Sequence, residues 1–106
     1  SDLFLATKVS FANEMKILCD SIDIDYDKVV EYSTYDERLG KSHWAVPGPD
    51  GELGFGGHCL PKDLSAIISL SSELGGHTVV LEAVKNLNLW IRANKDWEEM
   101  KGRAVI

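Results

Sequence analysis

The chain has 106 residues, of which 44% are hydrophobic, and this fits one globular domain with a modest core. Its formal net charge of −6 argues against a nucleic-acid-binding surface, and no basic stripe runs along it. No apolar run approaches the roughly 20 residues that a membrane span needs. The two cysteines, Cys19 and Cys59, are expected to be reduced, which favours a cytoplasmic protein.

The first predicted element is a helix over residues 3–19. Apolar side chains recur there at roughly helical spacing, and neither glycine nor proline interrupts them. Their number is high enough to bury more than one face, which suits a helix at the centre of a bundle or one shared with a second subunit. Asp25 is predicted to cap a second helix of about ten residues, with Val29, Val30 and residues 32–35 facing the core.

Residues 41–58 form a long irregular stretch, in which Pro and Gly at positions 47–51 predict tight turns. A loop of this length in a compact domain is usually functional. A third helix is predicted from Pro61 to Leu74, where two glycines stop it.

Thr78 is predicted to cap a last helix that runs through about Trp97. The predicted fold is therefore all-α, with four or five helices and one long glycine- and proline-rich loop that presents Cys59. His43, His58 and His77 show no metal-ligand spacing with the cysteines, so no metal site is predicted.

The most informative run covers residues 54–63, Gly-Phe-Gly-Gly-His-Cys-Leu-Pro-Lys-Asp. Its Pro-Lys-Asp is typical of the first turn of a helix, so Cys59 is predicted to lie just before a helix N-terminus. That environment favours the thiolate, and the glycines leave room for a ligand to reach the sulfur. The run predicts an accessible nucleophile, whereas the plainer interpretation is a small buried cysteine beside ordinary turns.

Three stretches of the chain together resemble the UDP-glucose/GDP-mannose dehydrogenase family. Residues 54–63 resemble its nucleophile motif Gly-Phe-Gly-Gly-x-Cys-x-x-Lys-Asp, residues 4–14 its long central helix, and residues 36–40 its Asp-x-Arg-Ile-Gly segment. The resemblance covers only the family's central domain, a helical domain like the C-terminal domain of 6-phosphogluconate dehydrogenase. It implies that residues 1–100 form this dimerisation and catalytic-cysteine domain, and that residues 101–106 begin a nucleotide-sugar-binding domain.

The resemblance implies an NAD-dependent oxidation of a nucleotide sugar, with UDP-glucose converted to UDP-glucuronate as the leading assignment. Cys59 would carry a thiohemiacetal and then a thioester, and Asp63 would position or activate the hydrolytic water. NAD would bind mainly to a domain absent from this chain, so the chain alone is expected to be inactive. Three alternatives stay open. The chain could be a fragment of a GDP-mannose or UDP-N-acetylhexosamine dehydrogenase, a dimerisation module without activity, or an unrelated thiol enzyme or redox sensor.

The resemblance also implies roles for residues around the cysteine. Lys62 would lie near the cofactor, Arg38 would reach a nucleotide sugar in the partner subunit, and Phe55, Gly56 and Gly57 would shape the sugar pocket. Each role has a simpler alternative. Lys62 would be a solvated surface lysine, Arg38 would form a surface ion pair, and residues 55–57 would only form a turn.

Two further expectations come from the same resemblance. The central helices would form a homodimer. Asp2 stands where the family usually has an asparagine that stabilises an oxyanion, and a carboxylate there would repel the developing negative charge.

Overall fold

A computed structural model describes residues 1–98 as a small helical domain. Its helices, in chain order, are α1 (Asp2–Ser21), α2 (Tyr26–Ser33), a 3₁₀ turn (Glu37–Leu39), α3 (Cys59–Glu73) and α4 (Val79–Ile91). No strand occurs within residues 1–98, so the all-α prediction is confirmed. The predicted start of a second domain at residues 101–106 lies outside the described residues. None of the helices in the described range is long and apolar enough to cross a membrane.

Helix α1 is the centre of the domain and contacts α2, α3 and α4. Ala6 and Ala12 are completely buried, and their small side chains let neighbouring elements approach the helix closely. One core cluster forms around Ala6, where the loop residue Phe55 meets Leu64 of α3 and Val84 of α4. The long loop is thus part of the hydrophobic core at its C-terminal end, although its sequence predicts no regular structure.

A second core cluster joins α1 to α2 through Ala12, Cys19 and Tyr26. The Tyr26 hydroxyl donates a hydrogen bond of 2.6 Å to the carbonyl of Trp44, which ties the start of the loop to α2. Burial raises the pKa of Tyr26 to about 12, because the phenolate would lose its hydration. Cys19 is buried and free, in agreement with the packing role predicted for it.

Helix α2 begins as predicted but is oriented differently from the prediction. Asp25 is its N-cap, and its Oδ1 accepts hydrogen bonds from the N–H groups of Asp27 and Lys28. Val29, Tyr32 and Tyr35 are exposed, so the prediction that they face the core is wrong for these three. The helix has only eight residues, and its contact with the core is made by Tyr26 at one end and by the partly buried Val30.

Two of the three remaining predicted helix boundaries agree with the structure, namely the end of α3 and the start of α4, and the predicted end of α4 does not. Helix α3 stops at the two glycines, where Gly75 has a φ of +79° and the Gly76 N–H donates to the Ser71 carbonyl. Thr78 is the N-cap of α4, although its side chain makes no capping hydrogen bond. The prediction that α4 reaches Trp97 is wrong: the helix ends at Ile91, and Arg92 has extended backbone.

Candidate functional site

Cys59 is exposed and is the first residue of α3. The prediction placed it just before a helix that starts at Pro61, but the helix begins two residues earlier. Pro61 is the third helical residue, still within the first turn, where a missing N–H costs no intrahelical hydrogen bond. The sulfur therefore lies at a helix N-terminus and open to solvent, which is the environment that the sequence predicts for a reactive thiol.

Asp63 lies one helical turn after Cys59, and both side chains are exposed. Residues four positions apart share a face of a helix, so the carboxylate and the thiol point to the same side of α3. Because α3 begins at Cys59, Asp63 is the fifth residue of the helix and lies beyond the first turn. The helix dipole acts mainly within that turn, so the simpler interpretation of Asp63 as a dipole partner loses support.

A second carboxylate, that of Asp2, contacts Asp63 across a groove between the N-terminal ends of α1 and α3. The hydrogen bond with Asp63, burial and the negative charge of Asp63 all raise the pKa of Asp2. The groove has a volume of about 460 Å³ and is lined by Ser1, Asp2, Leu3, Asp63, Ala66, Ile67 and Leu70.

The glycine run before Cys59 is held in place by side-chain amides of two helices. The Asn88 side chain of α4 pairs with both backbone groups of Phe55: its Oδ1 accepts from the N–H at 2.8 Å and its Nδ2 donates to the carbonyl at 2.9 Å. Asn13 of α1 accepts from the Gly54 N–H at 3.0 Å and donates to the Val9 carbonyl. Both asparagines are buried, so these bonds are shielded from water.

The same contacts explain two of the three glycines next to Phe55. A Cβ on Gly54 would overlap the Asn88 side chain, and a Cβ on Gly56 would overlap the Arg92 guanidinium. These glycines therefore leave room for side chains of the protein itself, which corrects the prediction that they leave room for a ligand. Of these three glycines, only Gly57, with a φ of +77°, has open space where its Cβ would be.

Phe55, Gly56 and Gly57 were predicted to shape a sugar pocket, and this stays a prediction. The structure adds that the Phe55 side chain is buried and that both of its backbone groups bond to Asn88. The Gly57 N–H donates to the Asp96 carboxylate at 2.9 Å. Any pocket at this run would therefore be formed by a backbone whose conformation is fixed by hydrogen bonds to Asn88 and Asp96 before a ligand binds.

Lys62 and Arg38 are both exposed, but only Lys62 lies near the thiol, in the first turn of α3. The Arg38 guanidinium forms two parallel hydrogen bonds with Asp36, from Nε at 3.0 Å and from Nη2 at 2.7 Å. These bonds lower the pKa of Asp36. In the described part of the chain, no hydrogen bond or ion pair joins the Arg38 side chain to residues 54–63, so the structure does not bring it to Cys59.

Four polar residues that hold the loop were not among the predicted site residues: Asn13, Asn88, Arg92 and Asp96. The available signal was the occurrence of asparagine within predicted helices, among apolar neighbours. Asparagine is unfavourable in a helix interior because its side chain competes for backbone hydrogen bonds. An asparagine on an apolar helix face therefore indicates a buried partner, although it does not say which one.

Residues 1–90 match the family model described as UDP-glucose/GDP-mannose dehydrogenase family, central domain. The chain belongs to the UDP-glucose/GDP-mannose dehydrogenase family. The matched segment contains Cys59, Asp63 and both asparagines that hold the glycine run, so the site described above lies wholly within the family's central domain except for Arg92 and Asp96. The family resemblance predicted from three motifs is thereby confirmed.

Several curated relatives are UDP-glucose 6-dehydrogenases. Those of Pseudomonas aeruginosa and Rickettsia bellii are each 38% identical to this chain, over 88 and 96 residues, which cover 83% and 91% of it. The putative UDP-glucose 6-dehydrogenase YtcA of Bacillus subtilis is 36% identical over 88 residues, 83% of this chain. The matches cover only 18%, 20% and 19% of these relatives, so the chain spans about a fifth of their length.

Proposed function

We propose that this chain is the central domain of an NAD-dependent UDP-glucose 6-dehydrogenase and that Cys59 is its nucleophile. The observation that carries the proposal is the exposed thiol at the first residue of α3, with the Asp63 carboxylate one turn further on. The names of the relatives support UDP-glucose as the substrate. The buried Cys19 is not a candidate, because its sulfur lies in the core.

The proposed chemistry explains why a thiol is needed. The primary alcohol of the sugar is first oxidised to an aldehyde, to whose carbonyl carbon the Cys59 sulfur adds to form a thiohemiacetal. A second oxidation converts the thiohemiacetal to a thioester. Water then attacks the thioester carbon, which releases the carboxylate product and returns the thiol. NAD⁺, held mainly by a domain outside this chain, would accept one hydride in each of the two oxidations.

Asp63 is proposed to position or activate the attacking water, because its carboxylate is exposed on the same side of α3 as the sulfur. Lys62, exposed in the same helix, is proposed to face the cofactor. Arg38 is proposed to reach a nucleotide sugar bound in a partner subunit, since its side chain is 88% exposed although it is paired with Asp36. Its planar guanidinium suits bidentate contacts with phosphate oxygens.

A domain exchange tests the proposal directly. The matching 88-residue segment of the Pseudomonas aeruginosa UDP-glucose 6-dehydrogenase is replaced by the corresponding part of this chain. We expect the exchanged enzyme to form NADH from UDP-glucose and NAD⁺, and the 106-residue chain alone to form none. Replacing Cys59 with alanine is expected to lower kcat by at least about a thousandfold, because no other described group can carry the thioester.

The matched control is Cys19→Ala, which removes the other thiol. Activity of the exchanged enzyme is expected to persist in this variant, with a change in thermal stability only, since Cys19 is a packing residue. Full turnover by the Cys59→Ala enzyme would contradict the nucleophile assignment. NADH formation by the isolated chain would contradict the view that it is one part of the catalytic unit.

The chain is also proposed to form a homodimer through α1. Phe4, Phe11 and Leu18 are spaced seven residues apart on this helix and are 70%, 51% and 47% exposed. Residues at this spacing lie along one side of a helix, so they form an apolar stripe that the rest of the described chain leaves largely uncovered. A second copy of the same stripe would bury it symmetrically.

Sedimentation at high micromolar concentration tests the dimer. We expect a dimer for the natural chain and at least about a tenfold weaker association for Phe4→Ser, because a buried phenylalanine side chain contributes about 1.5–3 kcal/mol. Tyr32→Ser is the control, since Tyr32 is also exposed but lies on α2. A monomer at all concentrations, or equal weakening by both variants, would exclude this interface.

A further inference from the structure

Arg92 is the one charged residue that is buried within residues 1–98, and its side chain is fully inaccessible to solvent. Its guanidinium donates hydrogen bonds to three residues of the chain. Nη2 donates to the Asp50 carboxylate at 2.7 Å, Nη1 donates to the Leu53 carbonyl at 3.3 Å, and Nε donates to the Asn94 carbonyl. The first two partners belong to the long loop, so Arg92 fixes the loop to the end of α4.

Asp96 connects this arginine to the residues that precede Cys59. Its Oδ1 lies 3.7 Å from the Arg92 Nη2 and accepts a hydrogen bond of 2.9 Å from the Gly57 N–H. His58 follows as the N-cap of α3, and its side chain makes no capping hydrogen bond. The start of α3 therefore lacks the usual side-chain cap, and within residues 1–98 the hydrogen bond from Gly57 to Asp96 is the side-chain hydrogen bond nearest to Cys59 in the sequence.

We propose that Arg92 is a positioning residue for Cys59, because it holds Asp96 against the Gly57 N–H and so fixes where α3 begins. This role rests on Cys59 being the reactive thiol of the proposed function, and it is additional to the residues named there. Loss of Arg92 would leave Asp96 free to turn toward water and Gly57 without its acceptor. The first turn of α3 would then fray, and the sulfur would lose its fixed position beside the unpaired N–H groups at the start of the helix.

The geometry requires an arginine at this position. Two carboxylates, those of Asp50 and Asp96, face one cation, and the hydrogen bond from Arg92 is the main cause of the lowered pKa of Asp50. A planar guanidinium can donate along several fixed directions at once, whereas a lysine ammonium is a compact charge at the end of a flexible chain. Lysine would keep the charge of Arg92 but not its simultaneous contacts with the loop and with Asn94.

Arg92→Lys in the 106-residue chain tests the proposal through two local measurements. Amide exchange followed by NMR is expected to accelerate about tenfold at Gly57, the factor for loss of a charge-assisted hydrogen bond, but not at Leu64 in the core of α3. Alkylation of Cys59 at neutral pH is expected to slow by about threefold, while Cys19 stays protected. A merely structural role would instead accelerate exchange at all buried amides together.

Asp96 variants keep the test informative if Arg92→Lys does not fold. Asp96→Ala removes the acceptor and is expected to reproduce both local effects, whereas Asp96→Asn keeps an oxygen for the Gly57 N–H and is expected to restore most of the Cys59 rate. Asp20→Ala, which removes an exposed carboxylate paired with Lys16, is the control and is expected to change neither measurement.

Two results would overturn the proposal: faster exchange at Gly57 with an unchanged Cys59 rate, or equal loss of protection at Gly57 and Leu64. Neither measurement depends on turnover. If the exchanged enzyme forms no NADH while these thiol and amide effects appear, the proposed function fails and the positioning of the Cys59 thiol stands.

Discussion

Replacing Asn88 with alanine is expected to lower the free energy of unfolding by about 3 kcal/mol, because two buried backbone groups of Phe55 lose their only partners in the described chain and each unsatisfied group costs about 1–3 kcal/mol. Asn88→Asp is expected to be similarly harmful, since the carboxylate still accepts from the Phe55 N–H but cannot donate to its carbonyl. Denaturant titration followed by far-UV circular dichroism measures both values.

Asn86→Ala is the matched control, because Asn86 lies on the same helix with an exposed side chain. Its effect is expected to stay within about 0.5 kcal/mol, as for most surface substitutions. Equal effects of Asn88→Ala and Asn86→Ala would mean that the two hydrogen bonds to Phe55 do not hold the glycine run.

Gly54→Ala is expected to destabilise the domain by about 3 kcal/mol, for two separate reasons. Its φ of +69° lies in the left-handed region, where a side chain costs about 1–2 kcal/mol, and the added Cβ overlaps the Asn88 side chain, for which overpacking costs about 1–3 kcal/mol. Thermal and denaturant unfolding of the variant measure the sum of the two costs.

Gly51→Ala separates these two costs. Gly51 has a φ of +79° but open space around the position of a Cβ, so only the backbone strain applies, and about 1 kcal/mol is expected. The difference between the two variants therefore measures how tightly Asn88 packs against the glycine run. A Gly54→Ala variant no less stable than Gly51→Ala would mean that no close packing exists there.

The helices could be predicted from the sequence where the signal is local. Apolar periodicity located α1, Asp25 marked the start of α2, and the glycine pair marked the end of α3. The predictions failed where contacts between residues distant in sequence determine which side chains are buried and where a helix ends. Tyr32 and Tyr35 have an apolar character that suggests burial, but the short α2 offers only one side to α1. Helix α4 stops at Ile91, where the guanidinium of the following residue turns back to the loop.

The same distinction applies to the candidate site, where local features could be predicted and long-range contacts could not. The exposed thiol at a helix N-terminus could be predicted because Cys59, Pro61 and the glycines are neighbours in sequence. The residues that hold the loop could not, because Asn88 and Phe55 are 33 positions apart, and Arg92 and Asp50 are 42. Such pairs exist only after α1, α3 and α4 have packed, and nothing local in the sequence specifies which asparagine meets which backbone group.

The anchoring of the glycine run through Asn13 has a consequence for the proposed homodimer. Asn13 lies two positions after Phe11, so the helix that carries the exposed apolar stripe also carries a direct hydrogen bond to Gly54. If two protomers pair through this stripe as proposed, a shift of α1 would act directly on the glycine run through the hydrogen bond between Asn13 and Gly54. Under that proposal the association of two protomers and the position of each Cys59 would be thermodynamically linked, so that a change in one would alter the other.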